Sequence, residues 1–224
     1  SHDIQNVNPN VDPVRDLEII ETEMKLADLD SIQKRLDKKN KKNTSENELN
    51  ILESALKCIN DDESFELLIK NFGKKEINQV GLLSTKPSLY VCNVDEKSIL
   101  KGNKYTDEFI KKYGENNTII ISADIENQIN GLNYEEKTNY MKMIDLKETG
   151  LNILIKKGYK LLELQTFFTS GPEESRAWTI TKNSLAPAAA GVIHSDFEKG
   201  FIRAETVSYD DFVECNGWLN SKNN

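Results

Sequence analysis

Cysteine and histidine are scarce in this chain, at three and two of 224 residues. Cys58, Cys92 and Cys215 are far apart, odd in number and in no metal-ligand spacing. That argues against a disulfide framework or a cysteine-held metal and reads as reduced intracellular thiols. Long apolar runs are missing too: none approaches the roughly 20 residues of a membrane-spanning helix, and no stretch reads as a secretory leader. Positive charge is outweighed, giving a net charge of −8, which argues against a surface that coats nucleic acid throughout but leaves room for local basic patches. With 38% hydrophobic and 29% charged residues, the composition is that of a globular protein of one large or two modest domains. The expectation is a soluble, cytoplasmic protein.

The stretch that organises the chain runs from Lys86 to Glu96. Residues 88–92 are a short apolar run rich in β-formers, set off by Pro87 and followed by polar residues, the pattern of a buried parallel strand. Asn93 and Glu96 then emerge at the carboxyl edge, where open α/β sheets bind ligands. An amide both donates and accepts hydrogen bonds, whereas a carboxylate only accepts and favours a ligand edge that donates. Such a pair could read the rim of a planar base. Taken alone, it could equally be a strand running into an ordinary turn.

A second strand supplies the context. Residues 118–121 are β-branched throughout and are followed by Ser122, Ala123 and Asp124, the first two small enough for a ligand to approach the backbone. Residues 106–112 between the two strands read as a short helix, so the segment has the order of a parallel crossover unit. Asn-x-x-Glu after one strand and Ser-Ala after the next resembles the base-recognition half of a P-loop GTPase. Val94 and Glu96 stand where that pattern usually has Lys and Asp. The variant is similar to the YchF or Obg-like ATPase family, which favours ATP over GTP.

Ahead of this segment, Asp12-Pro13 opens a long helix in which Leu17, Ile20, Met24, Leu29, Ile32 and Leu36 keep helical spacing to about Lys39. Its end is basic: Lys34, Arg35, Lys38, Lys39, Lys41 and Lys42 face the single acid Asp37. Ser45 and Glu48 form a capping box for a second helix whose seam is Leu49, Leu52, Leu56 and Ile59. The pair reads as an antiparallel coiled-coil hairpin with a basic tip, either a solvated loop or a contact for RNA or the ribosome. A short helix over residues 63–72 ends at Gly73.

Beyond Asp124, helices are expected over 125–144, with a break near Gly131, and over 149–162. Residues 165–169 and 176–181 read as a strand hairpin, Pro187 opens a helix to Ile193, and residues 201–207 read as a further strand. Two strands, a helix and a strand is the order of a β-grasp fold. The runs Leu164-Gln165-Thr166-Phe167-Phe168-Thr169, Arg176-Ala177-Trp178-Thr179-Ile180 and Ala189-Ala190-Gly191 through Glu205 resemble the TGS domain of the YchF family closely. Trp178, Phe167 and Phe168 read as β-grasp core, with stacking on an RNA base as the alternative. His194 lies among Ser195, Asp196 and Glu198, but triad members come from separate elements, so it reads as a structural or surface residue.

The fold class implied is α/β plus α+β. The resemblance divides the chain into a remnant of a nucleotide-binding domain (1–12), a helical arm (13–80), the carboxyl part of a P-loop NTPase domain (81–145), a linker helix (146–163) and a TGS domain (164–224). It implies nucleotide contacts at Asn93, Val94, Glu96, Ser122, Ala123 and Asp124, ATP or GTP with Mg2+ as the ligand, and the ribosome or its RNA as partner through the basic tip and TGS domain. The family's Gly-x-x-x-x-Gly-Lys-Ser/Thr loop, which cradles the phosphates, does not occur in the sequence, nor does the Asp-Gly-Asp turn before the family's last TGS strand. The expectation is therefore an incomplete stretch of a longer protein, inactive by itself, with no catalytic residue assigned. A non-enzymatic module that binds RNA or the ribosome is the rival reading.

Overall fold

The structure, a computed structural model, describes residues 11–37, 45–171 and 173–222. It divides into two compact units, Ser1–Leu161 and Leu162–Asn224.

The first unit begins with α1, Pro13–Leu36. Asp12 caps it by accepting the Arg15 N–H at 3.0 Å, and Pro13 stands in the first turn, where its missing N–H costs nothing. The helix stops at Leu36, short of Lys39; Lys38, Lys39, Lys41 and Lys42 lie outside the described residues. Next come α2 (Glu46–Asn60), α3 (Glu66–Phe72) and α4 (Lys74–Val80). Their core gathers Ile32, Ile51, Leu52, Ala55, Leu68, Ile77, Val80 and Leu82. The buried face of α2 is thus Ile51, Leu52, Ala55 and Cys58, rotated from the expected seam, with Leu56 and Ile59 only partly buried at its margin. The reason is that α2 packs against α3 and α4 as well as α1, which calls for a broader stripe than a two-helix seam. On α1, Ile20 is 51% exposed while Asp28 is 3% exposed, the reverse of what residue type suggests.

Asp28 is buried because it is bonded. Its two carboxylate oxygens accept the N–H groups of Leu83 and Ser84, each at 2.8 Å. Two turns along the same face, Arg35 donates to the Val80 carbonyl at 2.8 Å and pairs with Glu48. The sequence places Arg35 in the basic tip, but in the structure it caps the end of α4 and ties α1 to α2. Lys34 pairs with Asp30 at 2.6 Å.

The chain then forms β1 (Tyr90–Asn93), α5 (Lys104–Tyr113) and β2 (Thr118–Ile121). The strands pair in parallel, with Tyr90 opposite Thr118 and Asn93 opposite Ile121, which is the expected crossover unit. Asn103 and Thr106 form a capping box at the start of α5, and Phe109 and Tyr113 stack around Tyr90 with ring centroids 4.7 to 5.4 Å apart. Three helices follow: α6 (Ala123–Asn130), α7 (Tyr134–Met143) and α8 (Gly150–Leu161). The α8 helix lies so close to β2 that a Cβ on Gly150 would sit 2.5 Å from the Ile121 Cγ2.

In the second unit, β3 (Leu164–Ser170) and β4 (Ser175–Thr181) form an antiparallel hairpin. They are followed by α9 (Ala186–Ile193), α10 (Ser195–Lys199), α11 (Tyr209–Glu214) and α12 (Trp218–Ser221). The strand expected at 201–207 is not formed: these residues make no ladder, and Ile202 is 91% exposed. A β-branched pattern makes a strand only where a neighbour completes its hydrogen bonds, so the described sheet has two strands and the β-grasp order is not completed. The aromatic residues also differ from expectation. Phe168 is exposed and lies against Tyr209, with centroids 5.7 Å apart. Trp178 is half-buried, bonded to Thr169 Oγ1 at 2.9 Å and covered by Arg176 at 4.3 Å. His194 caps α10, its Nδ1 accepting the Asp196 N–H at 3.2 Å.

Candidate functional site

The parallel register sets the carboxyl ends of β1 and β2 side by side. After the last strand pair, Asn93 opposite Ile121, the Val94 N–H donates to the Ile121 carbonyl at 2.8 Å and extends the ladder by one bond. At this edge the Asn93 Oδ1 accepts the Ala123 N–H at 2.9 Å. That bond joins the two motifs, read separately in the sequence, and anchors the first turn of α6 to the end of β1.

The six sequence-derived residues are disposed unequally. Asn93, Glu96, Ala123 and Asp124 are exposed, whereas Val94 is buried in the core, so it shapes the floor and presents no side chain to a ligand. Ser122 is fully buried at the start of α6, and its hydroxyl has no hydrogen-bond partner among the described residues. A buried hydroxyl left unpaired costs about 1 to 3 kcal/mol, and Ser122 makes no side-chain capping bond to α6. Asp124 lies in the first turn of α6, where the helix dipole favours an acid.

Asp95 starts the 3-10 turn Glu96–Ser98 by accepting the Ser98 N–H at 2.9 Å. Its hydrogen bonding to Ser98 holds its carboxyl below the ordinary range. Glu96 is thereby carried on a fixed turn beside the end of β1. Behind it lie two residues that sequence reasoning missed. The Glu96 Oε1 accepts from Gln128 Nε2 at 2.7 Å, and the Gln128 Oε1 accepts from the Tyr140 hydroxyl at 2.5 Å. Gln128 had a signal in the sequence: it lies four residues after Asp124, on the same face of α6. Tyr140 had none, since it comes from α7 and meets Gln128 only in the folded chain.

The base of the site is braced from behind. Glu126 on α6 accepts the N–H groups of Gly150 at 2.6 Å and Leu151 at 3.4 Å, and Lys157 on α8 donates to the carbonyls of Glu115 at 2.9 Å and Thr118 at 2.7 Å. The arrangement offers an amide, a carboxylate acceptor and small-residue backbone along one sheet edge. Among the described residues there is no group of three or more His, Cys, Asp or Glu that could hold a metal, and no helix long and apolar enough to cross a membrane.

Comparison with known proteins finds relatives along nearly the whole chain. Residues 164–224 match a family described as YchF-GTPase_C, a protein of unknown function. The chain is 39% identical over 225 residues to the ribosome-binding ATPase YchF of Haemophilus ducreyi, covering 96% of the chain and 61% of the relative. For the protein of that name in Bacillus subtilis the figures are 39% over 232 residues, 98% and 63%. Obg-like ATPase 1 of Gallus gallus is 36% identical over 226 residues, covering 95% and 57%. The structure superposes on the YchF GTPase of Schizosaccharomyces pombe with a TM-score of 0.80, at 29% identity, over 99% of this chain and 63% of that one. The chain thus spans about three fifths of the length of the curated relatives it matches.

Proposed function

Because the chain belongs to the YchF family of Obg-like ATPases, we propose that it carries the base-reading rim of a P-loop nucleotide-binding protein that favours ATP over GTP. Asn93, Glu96, Ser122, Ala123 and Asp124 form the rim in this reading, and Val94 forms its floor. The observation that carries it is the Asn93 to Ala123 bond at 2.9 Å, which gathers both motifs at the carboxyl edge of a parallel strand pair, the usual ligand position in such sheets. Glu96 accepts and cannot donate, so it suits the amino group of a base.

The residues fit the base but not the rest of the nucleotide. The sequence has no Gly-rich phosphate loop, and the described residues offer no acid cluster for Mg2+, so no hydrolytic step is derived from them. ATP hydrolysis as a molecular switch in translation or stress response, and association with the ribosome, are proposed for the whole protein on the strength of the relatives named ribosome-binding ATPase. One observation favours the rival reading of a module that binds RNA without turnover. Arg176 over the half-buried Trp178 sets a cation and a partly exposed aromatic ring on one face of the β3–β4 hairpin, the combination that stacks on unpaired bases.

Calorimetric titration of ATP and GTP into the full-length protein tests the base-reading proposal. ATP binding at least as tight as GTP binding, with a changed ratio in Glu96→Ala, is the expected result. A clear preference for GTP, or a ratio indifferent to Glu96→Ala, refutes it.

A further inference from the structure

The Glu96–Gln128–Tyr140 chain has a direction. Tyr140 on α7 donates to the Gln128 Oε1 at 2.5 Å, so the amide must turn its Nε2 toward Glu96, where the separation is 2.7 Å. The opposite flip would set the amide oxygen against a carboxylate oxygen, acceptor against acceptor. Three separate elements, the turn after β1, α6 and α7, meet in this arrangement. One lobe of the Glu96 carboxylate is thereby engaged from within the protein.

That engagement bears on which base the carboxylate can read. The guanine edge presents two parallel donors, the ring N1–H and the 2-amino group, and satisfies a carboxylate best when both oxygens are free. Adenine presents one donor, its 6-amino group, flanked by an acceptor. A carboxylate whose Oε1 already accepts from Gln128 keeps Oε2 fully free but can accept at Oε1 only along its remaining lone pair, which suits the single adenine donor and weakens a two-point grip on guanine. We infer that Gln128 is a specificity-determining residue that biases Glu96 toward adenine by engaging one lone pair of Oε1 and fixing the plane of the carboxylate, with Tyr140 as the positioning residue that sets its amide. This inference rests on the base-reading proposal.

The test is the ratio of ATP to GTP dissociation constants in the full-length protein, which a loss of general stability does not move in one direction. Gln128→Leu keeps the size of the side chain and removes the donor, and the preference for ATP should fall about fivefold, the scale of one hydrogen bond made in water. Tyr140→Phe removes one hydroxyl and should lower it about twofold, which also covers the case in which Gln128→Leu fails to fold. A ratio unchanged in both variants while Glu96→Ala moves it overturns the role of Gln128 and leaves base reading by Glu96 intact. A ratio that Glu96→Ala leaves unmoved overturns both.

Discussion

Replacing Asp28 should be among the most damaging single changes to the first unit. Its carboxylate accepts two backbone N–H groups at 2.8 Å each, and the residue is 3% exposed, so water is poorly placed to substitute for it. Hydrogen bonds to a charged acceptor contribute about 1.5 to 3 kcal/mol each. Asp28→Ala removes both and is expected to cost about 3 kcal/mol, or roughly 6 to 12 °C in melting temperature for a protein of this size. Asp28→Asn is instructive because it is nearly isosteric. One oxygen remains to accept, but the new NH2 faces the other backbone N–H, so the cost should be about half to two thirds as large. Urea unfolding followed by circular dichroism measures both, read as a shift of midpoint at constant slope. Asp30→Ala is the control, because Asp30 pairs with Lys34 in an exposed ion pair, and such pairs contribute about 1 kcal/mol at most. If Asp28→Ala costs no more than Asp30→Ala, or if Asn serves as well as Asp, the bonds do not hold this segment in place and the argument fails.

Gly150→Ala places a methyl 2.5 Å from the Ile121 Cγ2 and is expected to destabilise by about 1 to 3 kcal/mol, which thermal unfolding checks against Gly158→Ala, where a Cβ meets nothing within 4 Å. Burial pushes the phenols of Tyr90 and Tyr113 up. A raised folded pKa means that the native state keeps protons the unfolded chain has released, so this contribution is fully present below the unfolded value of about 10 and is lost as pH rises above it. Stability measured from pH 9 to 11 should therefore decline, less steeply in Tyr113→Phe, and an equal decline in that variant would rule Tyr113 out as a source. Changing Lys38, Lys39, Lys41 and Lys42 to Gln should weaken ribosome sedimentation and flatten its salt dependence, whose log-log slope is about −0.7 to −0.9 per phosphate contacted; unchanged sedimentation across the salt series would reduce the tip to a solvated loop.

What could be read from the sequence was local. The run 118–121 is β-branched and matches β2 residue for residue, the Gly73 stop has the positive φ of 86° that favours glycine, and the capping role of Ser45 is seen in its acceptance of the Glu48 N–H. The α4 helix was missed because Ile77 and Val80 are its only apolar residues, too few to show a period. The bonds of Asp28 span 55 and 56 residues, and an acid in a helix ordinarily reads as a solvent face. The strand expected at 201–207 carries suitable residue types, but residue type does not name a partner. At the site, the edge residues follow their strands directly and so could be found by position. The link from Glu96 to Tyr140 depends on how α6 and α7 turn toward each other, which no local pattern encodes.

The spacing of Asp28, Ile32 and Arg35 constrains how the chain can change in length. An acid, an apolar side chain and a base recur on one face of α1, and each has a partner elsewhere: Leu83 and Ser84, the helical core, and Val80 with Glu48. Adding or deleting one residue between Asp28 and Arg35 would turn one end of this set by about 100° relative to the other and undo either the bonds of the acid or those of the base. Insertions and deletions should therefore spare the segment from Asp28 to Arg35, which keeps its length.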